Sequence, residues 1–408
     1  MRKVIATIGV AVMGLAALTG CGGSDDADAG DATAMTLTVW APAEDQVDST
    51  SWLPKVEADF EAAHPEYKIT WKNSIVSEGD AATQVKKDPA AAGDVFLYAN
   101  DQLGALIQAN AVGLLPPAAQ EQVKSQNSDV LVTSVTGEDG QLYGVPFTGN
   151  TWFMYYNKST FTEDDVKSLD AMLAKGKVSF PIKDAWYVPS FYVGNGCTLF
   201  GADGTDESAG VDFAGAKASD VTAYLAALVK NPNFVVDDQQ SGLSGFQTGT
   251  VDAVFSGTWS AEQAKEYLGD DYAAAVPPTF TLNGAEVQIT AFAGSKAAGF
   301  NPNSANAKAA AEFAAFLGSK QAQLDHFTLR GIVPSDESLA SDAAITADPA
   351  AAAQIATVAG ASVFQPTVAK MNNFWDPTET FGKALVSGDV TADNAAEKTE
   401  AWNAALNA

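Results

Sequence analysis

The chain has 408 residues, enough for two or three cores at about 100–200 residues per domain, and its 47% hydrophobic and 18% charged content is ordinary for a globular protein. Acidic residues outnumber basic ones 50 to 23, for a formal net charge of −27. A surface that negative repels phosphate backbones and anionic headgroups within a Debye length, which excludes nucleic acid as a partner.

Chemistry that needs sulfur or imidazole has little to draw on: Cys21, Cys197, His64 and His326 are the whole supply. They show no CxxC, HExxH or paired ligand spacing, so neither a metal site nor a cofactor is expected. A Ser-His-Asp or Cys-His arrangement would have to use one of these two histidines. His64 precedes Pro65 and reads as a solvated loop; His326, in an amphipathic helical stretch, reads as a surface or boundary residue.

The first residues are a leader. Arg2 and Lys3 form a basic head, Val4 to Leu18 is apolar but too short to span a bilayer comfortably, and Leu18-Thr19-Gly20-Cys21 resembles a bacterial lipobox. Cleavage before Cys21 and acylation of its thiol follow from that resemblance. Losing Arg2 and Lys3 takes the mature charge to about −29. Residues 22–35 contain only Gly, Ser, Asp, Ala, Thr and a final Met, and read as a flexible acidic tether spanning roughly 20 Å. The folded part is then held close to the outer face of the cell membrane, and the lipobox and acidic tether suit a Gram-positive surface better than a periplasmic anchor. Cys197, without a partner, reads as a small buried residue.

In the exported part, Thr36 to Ala41 alternates as a strand, and Trp52, Val56, Phe60 and Ala63 recur at helical spacing. Tyr67, Ile69 and Trp71 alternate again; a polar helical stretch runs from Gly79 to Asp88; Asp94 to Tyr98 is a compact apolar run; and Leu103, Leu106 and Ile107 resume a helix. This alternation predicts an α/β fold with a largely parallel sheet. Ligands in such sheets sit beyond the carboxyl ends of strands, which directs attention to the loops Trp40–Gln46 and Tyr98–Gln102. A second apolar segment runs from Leu142 to Lys158, followed by helices around Asp164–Lys175 and Val221–Val229. Near Phe246–Trp259 a helix ends at Gly249 and a strand leads to a turn at Gly257. Alanine-rich helices near Ala307–Leu317 and Ala350–Val358 look like packing elements. There is no internal repeat.

Several of these segments in this order resemble the sugar-binding proteins of ABC importers, and within them the maltose/maltodextrin-binding branch. They are Leu37-Thr38-Val39-Trp40, Gly93 to Tyr98 with Asp101, Tyr143-Gly144-Val145-Pro146 leading to Tyr156-Asn157-Lys158, Phe246 to Trp259, and Phe374-Trp375. The likeness runs from about Leu37 to the C-terminus. It implies a two-lobe periplasmic-binding-protein-like fold whose chain crosses the hinge more than once, with an oligosaccharide in the interlobe cleft and the permease subunits of an importer as partners. Carried over, one lobe takes residues 36–147 and 290–333 and the other 148–289 and 334–408. Membrane contact is through the lipid anchor only, and a monomer is expected.

A pyranose has apolar C–H faces and a rim of hydroxyls. Stacking that buries roughly 50–100 Å² contributes about 1–2 kcal/mol, and each hydrogen bond to a carboxylate about 1.5–3. By the resemblance, Tyr98 is an aromatic sugar contact and Asp101 a hydroxyl-binding carboxylate. Gln102 stands in place of an arginine, Glu44 and Asp45 lie on the first loop where the family's lysine is missing, and Asp80 matches a cleft acid approximately. Asn150 replaces a glutamate, Asp184 with Trp186 and Tyr187 matches a carboxylate and platform, Trp259 and Trp375 match two further platforms, and Glu379 replaces a basic residue. Each has a plainer alternative: half-buried packing for the aromatic residues, hinge packing for Trp152, a helix cap for Asp101, and solvated surface for Glu44, Asp45 and Asp80. Trp40, Trp52 and Trp71 read as core. The implied ligand is a malto-oligosaccharide, with another α-glucoside, a raffinose-type or a fructo-oligosaccharide as alternatives. A glycoside hydrolase using Asp101 and Asp184, or a surface adhesin, would be a different class; no catalytic motif supports the first.

Overall fold

The computed structural model describes residues 32–87, 92–238 and 241–408. The leader, Cys21 and most of the tether lie outside them. The tether gives way to structure earlier than expected: the first strand is Thr33–Ala41, because Thr33, Ala34 and Met35 continue the parallel ladder along Tyr67, Lys68 and Ile69.

Two mixed sheets organise the chain. In the first, of six strands, Thr33–Ala41 runs parallel to both Tyr67–Ile75 and Val95–Ala99. The crossover helix Trp52–Ala63 buries Trp52, Val56 and Phe60, the face set by their four-residue spacing, and ends at His64 before Pro65. The long strand Ala291–Phe300 then lies antiparallel between Val95–Ala99 and Val145–Asn150 and parallel to Ser362–Phe364. Nine of its ten residues are buried; small alanines and glycines let packed elements approach both faces. The second sheet has five strands, in the order Tyr272–Ala275, Phe153–Asn157, Ala253–Ser256, Val178–Phe180 and Phe234–Val236. Two short ribbons, Thr198–Leu199 with Val211–Asp212 and Thr279–Leu282 with Ala285–Gln288, complete the strands among the described residues.

Each sheet has its own core. Leu37, Val39, Phe96 and Phe313 belong to one, and Phe180, Phe191, Phe255 and Trp402 to the other. Between them the chain passes directly from Asn150 to Phe153, so the apolar segment Leu142–Lys158 is two strands in two lobes. The crossings are tied together: Thr151 Oγ1 donates to the carbonyl of Phe292 at 2.7 Å, and Thr148 Oγ1 to that of Val333 at 2.6 Å. Strand Ser362–Phe364 joins the first sheet, although the stretch 334–408 was expected in the second lobe. Its neighbours Val368, Phe374 and Leu385 do pack in the second core.

His326 is not a surface residue. It is 2% exposed, its ring stacks on Trp52 with centroids 3.8 Å apart, and its Nε2 lies 3.0 Å from Asp45 Oδ1. His64 pairs with Glu66 across a turn at 3.0 Å. Cys197 is a buried free thiol whose pKa burial pushes up to about 12, so it is inert at neutral pH.

Candidate functional site

A cleft of about 860 Å³ opens between the two sheets. The groups that line it follow the carboxyl ends of strands. Glu44 comes after Thr33–Ala41, Glu78 after Tyr67–Ile75, and Asp101 and Gln102 after Val95–Ala99. From the other side come Lys183 to Tyr187 after Val178–Phe180, Asp237 after Phe234–Val236, and Trp259 after Ala253–Ser256. Side chains at these ends are released from the ladder and face the crevice, which is why both sheets deliver their polar groups to one place.

Three indoles form the apolar part of the walls. Trp186 and Trp259 sit 5.8 Å apart at 37°, both half-buried. Trp259 is set by a tight turn: Gly257 holds its carbonyl against Tyr155 Oη at 2.8 Å, and a side chain on Gly257 would collide with the Trp259 ring. Trp375 begins the helix Trp375–Ser387 and packs edge-on against Phe374 at 5.4 Å. Tyr187 is 7% exposed, at the back of this wall, and stacks on Trp152 at 5.1 Å.

Polar groups surround the indoles: among the described residues seven carboxylates and three lysines line the cleft, which disfavours an anionic ligand. Asp101 is 8% exposed; burial raises its pKa above the ordinary aspartate value, against hydrogen bonds from Gln102 and Gln365 that lower it. Gln102 Nε2 donates to Asp101 Oδ2 at 2.8 Å while its Oε1 accepts from the backbone of Ala82 at 3.3 Å. Across the cleft, Asp184 accepts from the backbone N–H of Trp186 at 2.7 Å. Its pKa is also raised, by desolvation in the cleft wall and then by Glu379 and Asp237 nearby. Lys383 pairs with Glu379, and Lys183 with Asp238 at 2.9 Å.

Of the residues expected at the site, Glu44, Asp101, Gln102, Asn150, Asp184, Trp186, Tyr187, Trp259, Trp375 and Glu379 line this one cleft. Four do not. Tyr98 is a core residue with no exposed surface, packed on Phe96, because a residue inside a strand faces its own lobe rather than the crevice beyond the strand end. Trp152 is equally enclosed, between Phe180, Tyr187 and Phe255, and packs beneath the platform instead of forming it. Asp45 turns away to His326 and Arg330; burial alone would raise its pKa, but the interactions with those two side chains outweigh it and hold the pKa below the usual value. Asp80 is exposed and off the cleft.

The sequence reading missed Glu78, Lys183, Asp237, Lys296 and Gln365. Asp237 had a signal, since it directly follows an apolar strand pattern. Lys296 had a stronger one, as a single charge inside the apolar run Ala291–Phe300. Gln365 had none: it sits in a connection, 1% exposed.

A molecule with two α/β lobes, strand-end loops converging on a shared cleft, and a chain that crosses the hinge repeatedly is a two-lobe solute receptor. The chain belongs to the bacterial extracellular solute-binding protein family, whose pattern matches residues 55–353. A structure solved with acarbose is 47% identical, with the match covering 92% of this chain and 99% of that one at a TM-score of 0.89. The maltodextrin-binding protein of L. casei BL23, solved without ligand, is 29% identical over 92% of this chain and all of its own, at a TM-score of 0.82. A maltooligosaccharide ABC transporter solute-binding lipoprotein of Streptococcus pneumoniae serotype 4 is 25% identical over 97% of this chain and 95% of that protein.

Proposed function

We propose that this protein is the lipid-anchored receptor of an ABC importer and binds a malto-oligosaccharide in the interlobe cleft. The observation that carries the reading is the joint presence of Trp186, Trp259 and Trp375 with carboxylates from both lobes on one cleft. Flat indoles match the C–H faces of successive glucose units, and the carboxylates accept hydrogen bonds from their hydroxyl rims. The relatives named for maltodextrin and maltooligosaccharide, and the similar structure solved with acarbose, support an α-linked glucan over other glycans. A sugar that touches both walls stabilises the arrangement in which they approach, and differential affinity for that arrangement is what a transporter reads. The lobe limits are part of the proposal: 33–150 with 291–333 and the strand at 362–364 form one lobe, and the rest of the described chain forms the other. Asp101 and Asp184 act as hydroxyl acceptors, not as a hydrolytic pair.

Calorimetric titration of residues 32–408 with maltose, maltotriose, raffinose and a fructo-oligosaccharide tests the ligand. Binding of maltotriose in preference to the others is the expected result; a preference for one of the others would keep the class and discard the substrate. The anchor rests on the lipobox alone, so Cys21→Ala is expected to release the protein from the membrane fraction, as read by immunoblotting.

A further inference from the structure

Lys296 is the only residue of the strand Ala291–Phe300 that is not buried, and it stands where that strand loses its regular pairing. Lys296 opposes Thr148 and the next residue, Ala297, opposes Pro146, so one step on this strand faces two on the other. Pro146 has no N–H to give the ladder, and a bulge at such a point re-aims a side chain. The extra residue, Phe147, belongs to the partner strand, and beside it the lysine side chain leaves the first lobe and enters the cleft. Its Nζ lies 3.1 Å from Oε1 of Glu78, a carboxylate that follows the neighbouring strand, and 5.3 Å from the centre of the Trp259 ring on the opposite lobe. Glu78 is 7% exposed, and among the described residues Lys296 is the only cation that the first lobe contributes to the cleft lining.

We propose that Lys296 and Glu78 form a recognition unit for two adjacent hydroxyls of the sugar ring that stacks on Trp259. The ammonium donates to one hydroxyl oxygen, Glu78 accepts from its neighbour, and the indole covers the C–H face, so a vicinal diol is read by a donor and an acceptor held in fixed relation. The pair is pre-formed, so little ordering is needed when ligand arrives. Because the two charges come from the first lobe and the indole from the second, a ring held by all three joins the walls. The inference rests on the oligosaccharide reading and deepens it by assigning the groups that face the diol.

The test compares Lys296→Met, Glu78→Gln and the double variant with the unmodified protein, each titrated with maltotriose and checked for unchanged thermal melting. Lys296→Met is expected to weaken binding about 10- to 100-fold, as for loss of a charged hydrogen bond, and the double variant to lose less than the product of the two single effects. A gain in affinity for Lys296→Met would overturn the proposal, because it would mean that the ammonium merely covers the indole face and must be pushed aside. Unchanged affinity would overturn it as well. If the unmodified protein binds another oligosaccharide, the same variants are titrated with that sugar. If it binds none, the oligosaccharide reading itself has failed, a result distinct from either of these.

Discussion

The indole N–H of Trp186, from the second lobe, donates to Oε1 of Gln365 at 2.7 Å, and the Gln365 side chain also faces Asp101 of the first lobe, where it opposes the rise that burial imposes on the carboxyl pKa. One buried amide therefore sets the angle of a platform on one wall and the environment of an acceptor on the other. Asn100 Nδ2 holds the Gln365 carbonyl at 2.9 Å, which anchors the backbone independently of the side chain. Gln365→Ala is expected to lower maltotriose affinity by about 1–2 kcal/mol through loss of these side-chain bonds, with Trp186 free to rotate. Calorimetry with intrinsic fluorescence checks this; unchanged affinity would show that Trp186 keeps its angle by packing alone.

The platforms themselves are tested by truncation. Trp259→Ala and Trp375→Ala should each cost about 1–3 kcal/mol of binding, with folding preserved because both rings are only half-buried. Gly257→Ala is a subtler probe: the added methyl collides with the Trp259 ring while the backbone, at φ −102°, accommodates alanine. A loss of affinity approaching that of Trp259→Ala is expected in a titration of the same sugar.

Tyr98 should behave in the opposite way. Its hydroxyl is buried with no hydrogen-bond partner among the described residues, and an unpaired buried polar group costs about 1–3 kcal/mol. Tyr98→Phe is expected to leave sugar affinity unchanged and to melt at the same temperature or higher. A substantial loss of affinity would return Tyr98 to the cleft.

What could be read from the sequence followed from what sequence encodes. Alternation and four-residue spacing marked Thr36–Ala41 and Trp52–Ala63 because one buried face imposes those periods. The loops after Trp40 and Tyr98 do reach the cleft, since strand ends feed the crevice, and Glu44, Asp101 and Gln102 line it from there. Tyr98 failed by one structural step: it belongs to the strand, where the pleat and not the loop decides which way a side chain faces. Asp45 failed because its partners, His326 and Arg330, are nearly three hundred residues away. Lys296 showed as a lone charge in an apolar run, but nothing local says which cleft that charge enters, and Gln365 sits in a connection that no local pattern announces.

One buried acid makes stability depend on pH. Burial raises the Glu57 pKa to about 7, with Asn73 opposing and Glu61 reinforcing the shift. The folded state therefore holds a proton that the unfolded chain, at an ordinary value of 4.5, releases. Stability from this group is full below the ordinary value and is lost as pH rises toward about 7. Glu57→Gln is expected to flatten that part of the stability profile and to raise the melting temperature at pH 8, as read by scanning calorimetry. A variant that melts lower than the unmodified protein at pH 8 would contradict this.

The strand Ala291–Phe300 has a consequence for the order in which the molecule assembles. Residues 33–150 contain four strands of the first sheet, yet Val95–Ala99 and Val145–Asn150 are joined only through this late strand. The second sheet is drawn entirely from the contiguous stretch 153–275. Local closure favours the second, and the first must wait for partners far along the chain. The leading segment of the chain therefore stays incomplete until residues 291–300 have been made and can pair with it. Delayed pairing thus makes the lobe begun first the one completed last.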